Sequence, residues 1–160
     1  MGSEMCIRDR DEWDHDESLP WHLTELPNHE GMVQWVSALN HAYRTIPALH
    51  ALDTESGGFR WIDANDSERS ILTFMREDGA GDIVIVALNA TPVPRTDVMT
   101  GAPVAGTWNL ALCSDDVKFG GSGFSRPSTY DTSPEQFNGY EQSIWLTLPP
   151  LSLTILRRAQ

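Results

Sequence analysis

The side chains best suited to chemistry are concentrated in one acidic segment near the start of the chain. Residues 11–30 hold seven carboxylates and no lysine or arginine. The run Asp14-His15-Asp16 offers metal ligands, but its spacing matches no strong ligand motif. A pair of these carboxylates could serve as acid and base in glycosidic cleavage, yet that chemistry requires a set separation and two different environments. We therefore predict no metal site, no cofactor and no complete active site from these residues.

A glycine-rich run offers a second place for chemistry. Gly120-Gly121-Ser122-Gly123 follows neither the nucleophile-elbow pattern nor the phosphate-binding patterns G-x-x-x-x-G-K-[ST] and G-x-G-x-x-G. It lies in residues 118–140, a stretch rich in Gly, Ser and Pro that we predict to be a long surface loop.

Six tryptophans are many for 160 residues. Tryptophan rings can stack on sugar faces, although most tryptophans in a small sandwich belong to the core. Trp145 is out of phase with Ile144 and Leu146, so we expect it to face outward and regard it as a possible ligand platform.

One long helix is expected to follow the acidic segment, in which Pro20 and Pro27 favour an extended loop. Asn28 offers an N-cap, Glu30 suits the first turn, and Pro47 ends the helix. Apolar residues at spacings of three and four form one stripe along it: Met32, Val36, Leu39, Tyr43 and Ile46.

Beyond residue 58 the apolar period changes to two. Six short runs, separated by turn signals, predict strands at 59–62, 71–75, 83–88, 107–112, 144–148 and 151–156. Asp78-Gly79-Ala80-Gly81 predicts a hairpin turn between the second and third runs. The expected fold is mainly β, an antiparallel β-sandwich.

Charge and composition narrow the classes of partner. The net charge of −12 argues against nucleic acid and anionic membranes as partners, and no apolar run reaches the ~20 residues of a membrane span. A neutral carbohydrate remains open. Cys6 and Cys113 show no metal-site spacing and no apolar signal segment is evident, so we expect a reduced, cytoplasmic setting with Cys113 buried. Residues 1–10 have no structural logic and are interpreted as a foreign or artefactual leader.

Several motifs together resemble the bacterial 1,4-α-glucan branching enzymes of the α-amylase superfamily. Residues 12–23 resemble the family segment E-W-N-H-D-x-S-L-D-W-H-L, with Asp14 replacing Asn and Pro20 replacing Asp. The resemblance continues through residues 39–53, 58–63, 89–95, 106–108, 120–123 and 146–151, and so covers residues 11 to about 158.

The resemblance implies a division of the chain. Residues 11–52 would be the last loop and helix of a truncated (β/α)₈ barrel, and residues 53–160 the C-terminal β-sandwich. The apolar stripe would pack on the missing barrel, and the loop, at the catalytic face, would border the glucan cleft with Trp13, Asp14, His15 and Trp21.

The implied activity is transfer of an α-1,4-glucan segment to a 6-hydroxyl, by a retaining mechanism with a carboxylate nucleophile and a second acid/base carboxyl. In the family those carboxylates lie on earlier barrel strands, and none matches a position here. The implied partners are α-glucan and the barrel domain. The alternative is a stand-alone β-sandwich that binds glucan or another protein. Left bare, the stripe would also make the isolated chain prone to associate.

Overall fold

The computed structural model describes residues 20–159, which contain one long α-helix and eight β-strands. The helix, α1, spans Pro27–Thr45. The strands are β1 Phe59–Asp66, β2 Ile71–Glu77, β3 Ile83–Asn89, β4 Arg95–Ala102, β5 Thr107–Cys113, β6 Thr129–Asp131, β7 Gln142–Leu148 and β8 Ser152–Arg158. Within this part of the chain, no helix is long and apolar enough to cross a membrane.

The strands form two antiparallel sheets, as the period of two predicts. One has six strands in the order β1-β2-β3-β8-β5-β6, and the other pairs β4 with β7. The turn expected at Asp78–Gly81 is confirmed, because Asp78 Oδ1 accepts from the backbone N–H groups of Ala80 and Asp82 at 2.8 and 2.9 Å. Sequence reasoning missed β4, whose Thr, Asp and Gly residues give no apolar run. Residues 118–140 were predicted to be a loop throughout, but β6 lies within them, so that prediction is wrong in part.

The main core lies between the two sheets. Both faces of the six-stranded sheet are covered at strand β3. Ile83, Ile85 and Ala87 face β4 and β7. Val84 and Val86 face α1. All five side chains are buried. A strand covered on both sides reads as a continuous apolar run, which is how β3 appears in the sequence.

Helix α1 packs on the other side of the six-stranded sheet. Ala42 and Ile46 are buried against Val84, Val86 and Ile155, and Trp35, Ala38 and Leu39 pack at the edge of the same cluster. The expected stripe is therefore divided. Leu39 and Ile46 contact the sandwich itself, which corrects the expectation that the whole stripe packs on a barrel, while Met32, Val36 and Tyr43 are exposed.

The start of α1 differs from the prediction. Pro27 is the first helical residue and Leu26 occupies the cap, so Asn28 is not the N-cap. Proline suits this position because the first helical N–H has no partner within the helix. Before it, Trp21–Glu25 forms a short 3₁₀-helix where an extended loop was expected. The predicted end of the helix before Pro47 is confirmed.

Candidate functional site

The predicted cleft-bordering residues fall mostly outside the described part of the chain. Trp13, Asp14 and His15 lie there, as do Cys6 and the leader. Trp21 is described: it begins the 3₁₀-helix ahead of α1 and is 67% exposed. Among residues 20–159, no group of three His, Cys, Asp or Glu side chains is arranged to hold a metal ion.

Several large apolar side chains on α1 and on strand β1 are exposed, and we call this set the outer surface. Its members are Met32, Val33, Val36 and Tyr43 on α1, and Phe59 and Trp61 on β1. Their exposed fractions run from 39% to 60%, which is high for large hydrophobic side chains. Exposed apolar side chains that form a contiguous patch mark interaction sites in many proteins.

A polar network joins the α1 part of the outer surface to its β1 part. Tyr43 donates its hydroxyl proton to Asp53 Oδ2 at 2.9 Å, and Arg76 Nη2 donates to Asp53 Oδ1 at 2.8 Å. Arg76 Nε also donates to the carbonyl oxygen of Gly58 at 2.9 Å, and Arg76 lies opposite Phe59 in the sheet register. The network therefore fixes the end of α1 relative to the edge strand.

The network shifts the acidities of its members. Hydrogen bonds from Arg76 and then from Tyr43 lower the pKa of Asp53 below its ordinary value of 3.8. The hydrogen bond to Asp53 raises the pKa of the Tyr43 phenol above 10.0. Both groups are held in the charge state that keeps the network intact at neutral pH, so the arrangement is suited to positioning and not to proton transfer.

Three aromatic rings form the β1 part of the surface and its support. Phe74 lies 5.2 Å from Phe59 and 5.7 Å from Trp61, centroid to centroid, and Phe59 meets Trp61 edge-on at 5.1 Å. Phe74 also packs against the α1–sheet core. Sequence reasoning missed Phe59 and Trp61 as surface residues. The signal was present, since Trp61 precedes the buried Ile62 and so points to the other side of the strand.

The sequence of most of the β-sandwich matches a known family. Residues 61–159 match the family model described as "Alpha amylase, C-terminal all-beta domain". The chain belongs to this family. Its β-sandwich is the all-β domain that the sequence predicts.

Three curated relatives of this chain share the name 1,4-alpha-glucan branching enzyme. The 1,4-alpha-glucan branching enzyme of Albidiferax ferrireducens is 42% identical over 97% of this chain and 25% of its own length. Those of Aromatoleum aromaticum and Aquifex aeolicus are 44% and 41% identical, over 98% and 91% of this chain and 24% and 23% of theirs. The chain thus spans about a quarter of the length of the curated relatives it matches.

Elsewhere in this all-β domain, Trp145 is confirmed to face outward. It is 50% exposed and pairs with Met99 in the β4–β7 sheet, on the opposite side of the sandwich from α1. Cys113 is buried, as expected for a small hydrophobic residue.

The glycine-rich run is held in place by one carboxylate. Asp115 is 6% exposed and accepts hydrogen bonds from Ser122 N, Ser122 Oγ and Phe124 N at 2.8 to 2.9 Å. All the contacts made by Asp115 thus serve the shape of this segment.

Proposed function

We propose that this chain is the C-terminal β-sandwich part of a cytoplasmic 1,4-α-glucan branching enzyme. The observation that carries the proposal is identity of 42% over 97% of the chain to an enzyme of that name. The whole enzyme would cleave an α-1,4 link in a glucan such as amylose and move the freed segment to a 6-hydroxyl, forming a branch in glycogen. The partners would be α-glucan and a catalytic (β/α)₈ barrel, with Trp13, Asp14, His15 and Trp21 bordering the cleft.

The role of the chain in this reaction would be structural. The retaining mechanism needs a carboxylate nucleophile and a separate acid/base carboxyl. Both would lie on the barrel, outside residues 11–160. The network of Tyr43, Asp53 and Arg76 would hold the sandwich and α1 in one orientation beside that barrel.

An activity assay on a graft tests the proposal. The aligned quarter of the Aromatoleum aromaticum enzyme is replaced by residues 11–160 of this chain, and branching is followed by the loss of iodine staining of amylose. We expect the graft to reduce staining, and the isolated chain to leave staining at the buffer level. The relative lacking its aligned quarter is the control. Loss of staining with the isolated chain, or a folded graft no better than the control, would contradict the proposal.

A second candidate function is a stand-alone glucan-binding module. The half-exposed Trp145 favours it, because an outward tryptophan on a sheet can stack on a sugar ring. Migration of the chain through a gel containing amylose would then be retarded, and Trp145→Ala would abolish the retardation. Equal migration with and without amylose would exclude this candidate.

A further inference from the structure

We propose that Asn138 is a modification site, at which water replaces the side-chain amide without an enzyme, and that the carboxylate formed there loosens one edge of the β-sandwich. Asn138 precedes Gly139, and this is the one Asn-Gly sequence among the 160 residues. We call residues 137–140 the clasp turn. The proposal concerns the β-sandwich itself and does not depend on the proposed enzymatic activity.

The clasp turn has the backbone of a type I′ turn. Phe137 and Tyr140 exchange two backbone hydrogen bonds of 3.0 Å, and Asn138 and Gly139 both have positive φ, at 50° and 81°. Asn-Gly is a favoured pair for this turn, because both residues tolerate positive φ. Gly139 is exposed, and a Cβ there would meet no atom within 4 Å apart from its chain neighbours. The tip of the turn therefore lies in open space.

The side chain of Asn138 joins the two sheets. Its Nδ2 donates to Asp63 Oδ2 on β1 at 3.1 Å, and its Oδ1 accepts from the backbone N–H of Gly101 on β4, also at 3.1 Å. Strand β1 is at the end of the six-stranded sheet, and β4 belongs to the two-stranded sheet. One amide group thus bridges the sheets at the edge where β1 and β4 are in contact.

The clasp turn fits closely over this edge. A Cβ at the buried Gly101 would lie 2.6 Å from the carbonyl oxygen of Phe137 and 2.6 Å from Cδ2 of Tyr140. The Tyr140 hydroxyl donates to Met75 Sδ at 3.5 Å, and Met75 belongs to the core between the sheets. Since uncovered strand edges can pair with other chains, the turn protects an edge that would otherwise be open to association.

The reaction needs only this chain and water. The backbone nitrogen of Gly139 gives up its proton to water and attacks Cγ of Asn138. The Cγ–Nδ2 bond breaks, and the amide leaves as ammonia after taking a proton from water. A second water opens the five-membered imide ring at either carbonyl, which yields aspartate or isoaspartate at position 138. The new carboxylic acid loses its proton to ammonia, and no oxidation or reduction takes place.

The clasp turn presents both reacting groups. Among the described residues, the N–H of Gly139 makes no hydrogen bond, so its nitrogen is free to react. Gly139 also has no Cβ to hinder the approach. The N–H of Gly101, 3.1 Å from Asn138 Oδ1, points at the oxygen on which negative charge develops during the attack. Donors placed in this way stabilise such an oxyanion.

The product is incompatible with the present contacts. A carboxylate at position 138 would place a charged oxygen where the amide now donates to Asp63 Oδ2. The other oxygen of Asp63 accepts from the backbone N–H of Asn65 at 2.9 Å, and within residues 20–159 Asp63 forms no ion pair that could offset a second charge. Glu141, beside the turn, contacts Gln136 at 2.6 Å and adds a further negative charge to the same segment. Two carboxylates at this separation repel each other when both are ionised.

Mass spectrometry of the chain held in mildly alkaline buffer tests the modification. Asn65 is the internal control, because it is exposed but precedes Asp66. We expect aspartate and isoaspartate to accumulate at position 138 while Asn65 keeps its amide. Conversion of Asn65 with Asn138 intact would overturn the proposal.

Thermal unfolding of designed variants tests the consequence. Asn138→Asp should lower the Tm by about 3–8 °C at neutral pH. The loss should shrink in acid, where the two carboxyl groups share a proton. Asp63→Asn combined with Asn138→Asp exchanges donor and acceptor, and it should restore the Tm. Gly101→Ala displaces the turn without adding charge, so its loss should be equal at both pH values.

Two results would contradict the role of the pair. One is a loss for Asn138→Asp that does not change with pH. The other is a double variant that is no more stable than Asn138→Asp. If Asn138→Asp does not fold, the double variant decides alone: a folded double variant supports the pairing of positions 63 and 138, and an unfolded one overturns it.

Discussion

The two sides of the six-stranded sheet are covered to very different degrees. On one side, β4 and β7 close a core in which Ile85, Ile144 and Leu148 are fully buried. On the other side, α1 covers Val84 and Val86 but leaves its own far side exposed. The core between the two sheets is therefore complete, whereas the helix on the other side of the six-stranded sheet keeps apolar side chains exposed.

The difference between the two sides separates stability from association. Side chains buried between α1 and the sheet should determine whether the domain folds, because their burial is complete without any partner. Those on the outer surface should hardly affect folding and should determine what the domain contacts. Substitutions on the two sides of α1 can therefore be compared directly.

The largest loss of stability is expected from substitutions where α1 packs against the sheet. Ile46 is 7% exposed within the α1–sheet cluster, so Ile46→Ala should lower the free energy of unfolding by about 2–5 kcal/mol. Val36→Ala, on the exposed side of the same helix, should change it by no more than about 0.5 kcal/mol. Urea unfolding of both variants measures the difference. Equal losses would mean that the two sides of α1 are not distinct.

A smaller loss of stability is expected from a substitution at Gly31, where α1 closely approaches the backbone of Phe119. A Cβ at this position would lie 2.7 Å from the carbonyl oxygen of Phe119. Relieving that contact costs about 1–3 kcal/mol, against about 1 kcal/mol gained from the helix propensity of alanine. Gly31→Ala should therefore destabilise the chain on balance, whereas Gly57→Ala, whose Cβ would meet no atom within 4 Å apart from its chain neighbours, should be nearly neutral. A Gly31→Ala chain as stable as the parent would refute the close approach.

Association of the isolated chain should depend on salt. At about 0.01 M salt, charge repulsion acts over about 30 Å and should keep the chain monomeric. At about 1 M salt it is screened to about 3 Å, so the outer surface should then drive weak association, seen as a molar mass above 17.8 kDa by light scattering. Trp61→Ser combined with Val36→Ser should restore the monomer, and Trp145→Ser should not. If Trp145→Ser alone abolished association, the association surface would lie on the β4–β7 sheet and not on the outer surface.

The smallest effect on stability is expected when the polar network of Tyr43, Asp53 and Arg76 is disrupted. This effect should depend on pH. Because the pKa of Asp53 is lowered, its contribution to stability is present above 3.8 and is lost as the pH falls below that value. The Tm difference between the parent and Asp53→Asn should therefore narrow from about pH 6 to about pH 3. Asp97→Asn, at an exposed carboxylate of β4, serves as the control. A constant difference across this range would show that the network does not depend on the Asp53 charge.

Much of the sandwich could be predicted from the sequence, because its strands follow simple patterns. The runs at β2, β3, β7 and β8 are apolar enough to be recognised, and Asp78 with two glycines marks the turn between β2 and β3. Strand β4 was not predicted, because its burial depends on contacts with distant residues. Thr100 of β4 is buried and forms a hydroxyl–hydroxyl hydrogen bond of 3.1 Å to Thr73, which no local sequence pattern reveals.

The candidate site was harder to predict, because it depends on which side of α1 meets the sheet. A helix with apolar residues around more than half its circumference does not specify that choice. Ala38 and Ala42 pack against the sheet, Gly31 closely approaches the backbone of Phe119, and larger side chains such as Met32 are exposed. The predicted residues Trp13, Asp14 and His15 lie outside the described residues and stay predictions.

The most direct measurement is to sequence the source DNA upstream of codon 11. The account predicts an open reading frame that continues into a (β/α)₈ barrel with an Asp, a Glu and another Asp at successive strand ends. Residues 1–10 would then be foreign to the protein. A genuine start codon and ribosome-binding site ahead of those ten residues would contradict the account, and glucan binding by a stand-alone module would replace it.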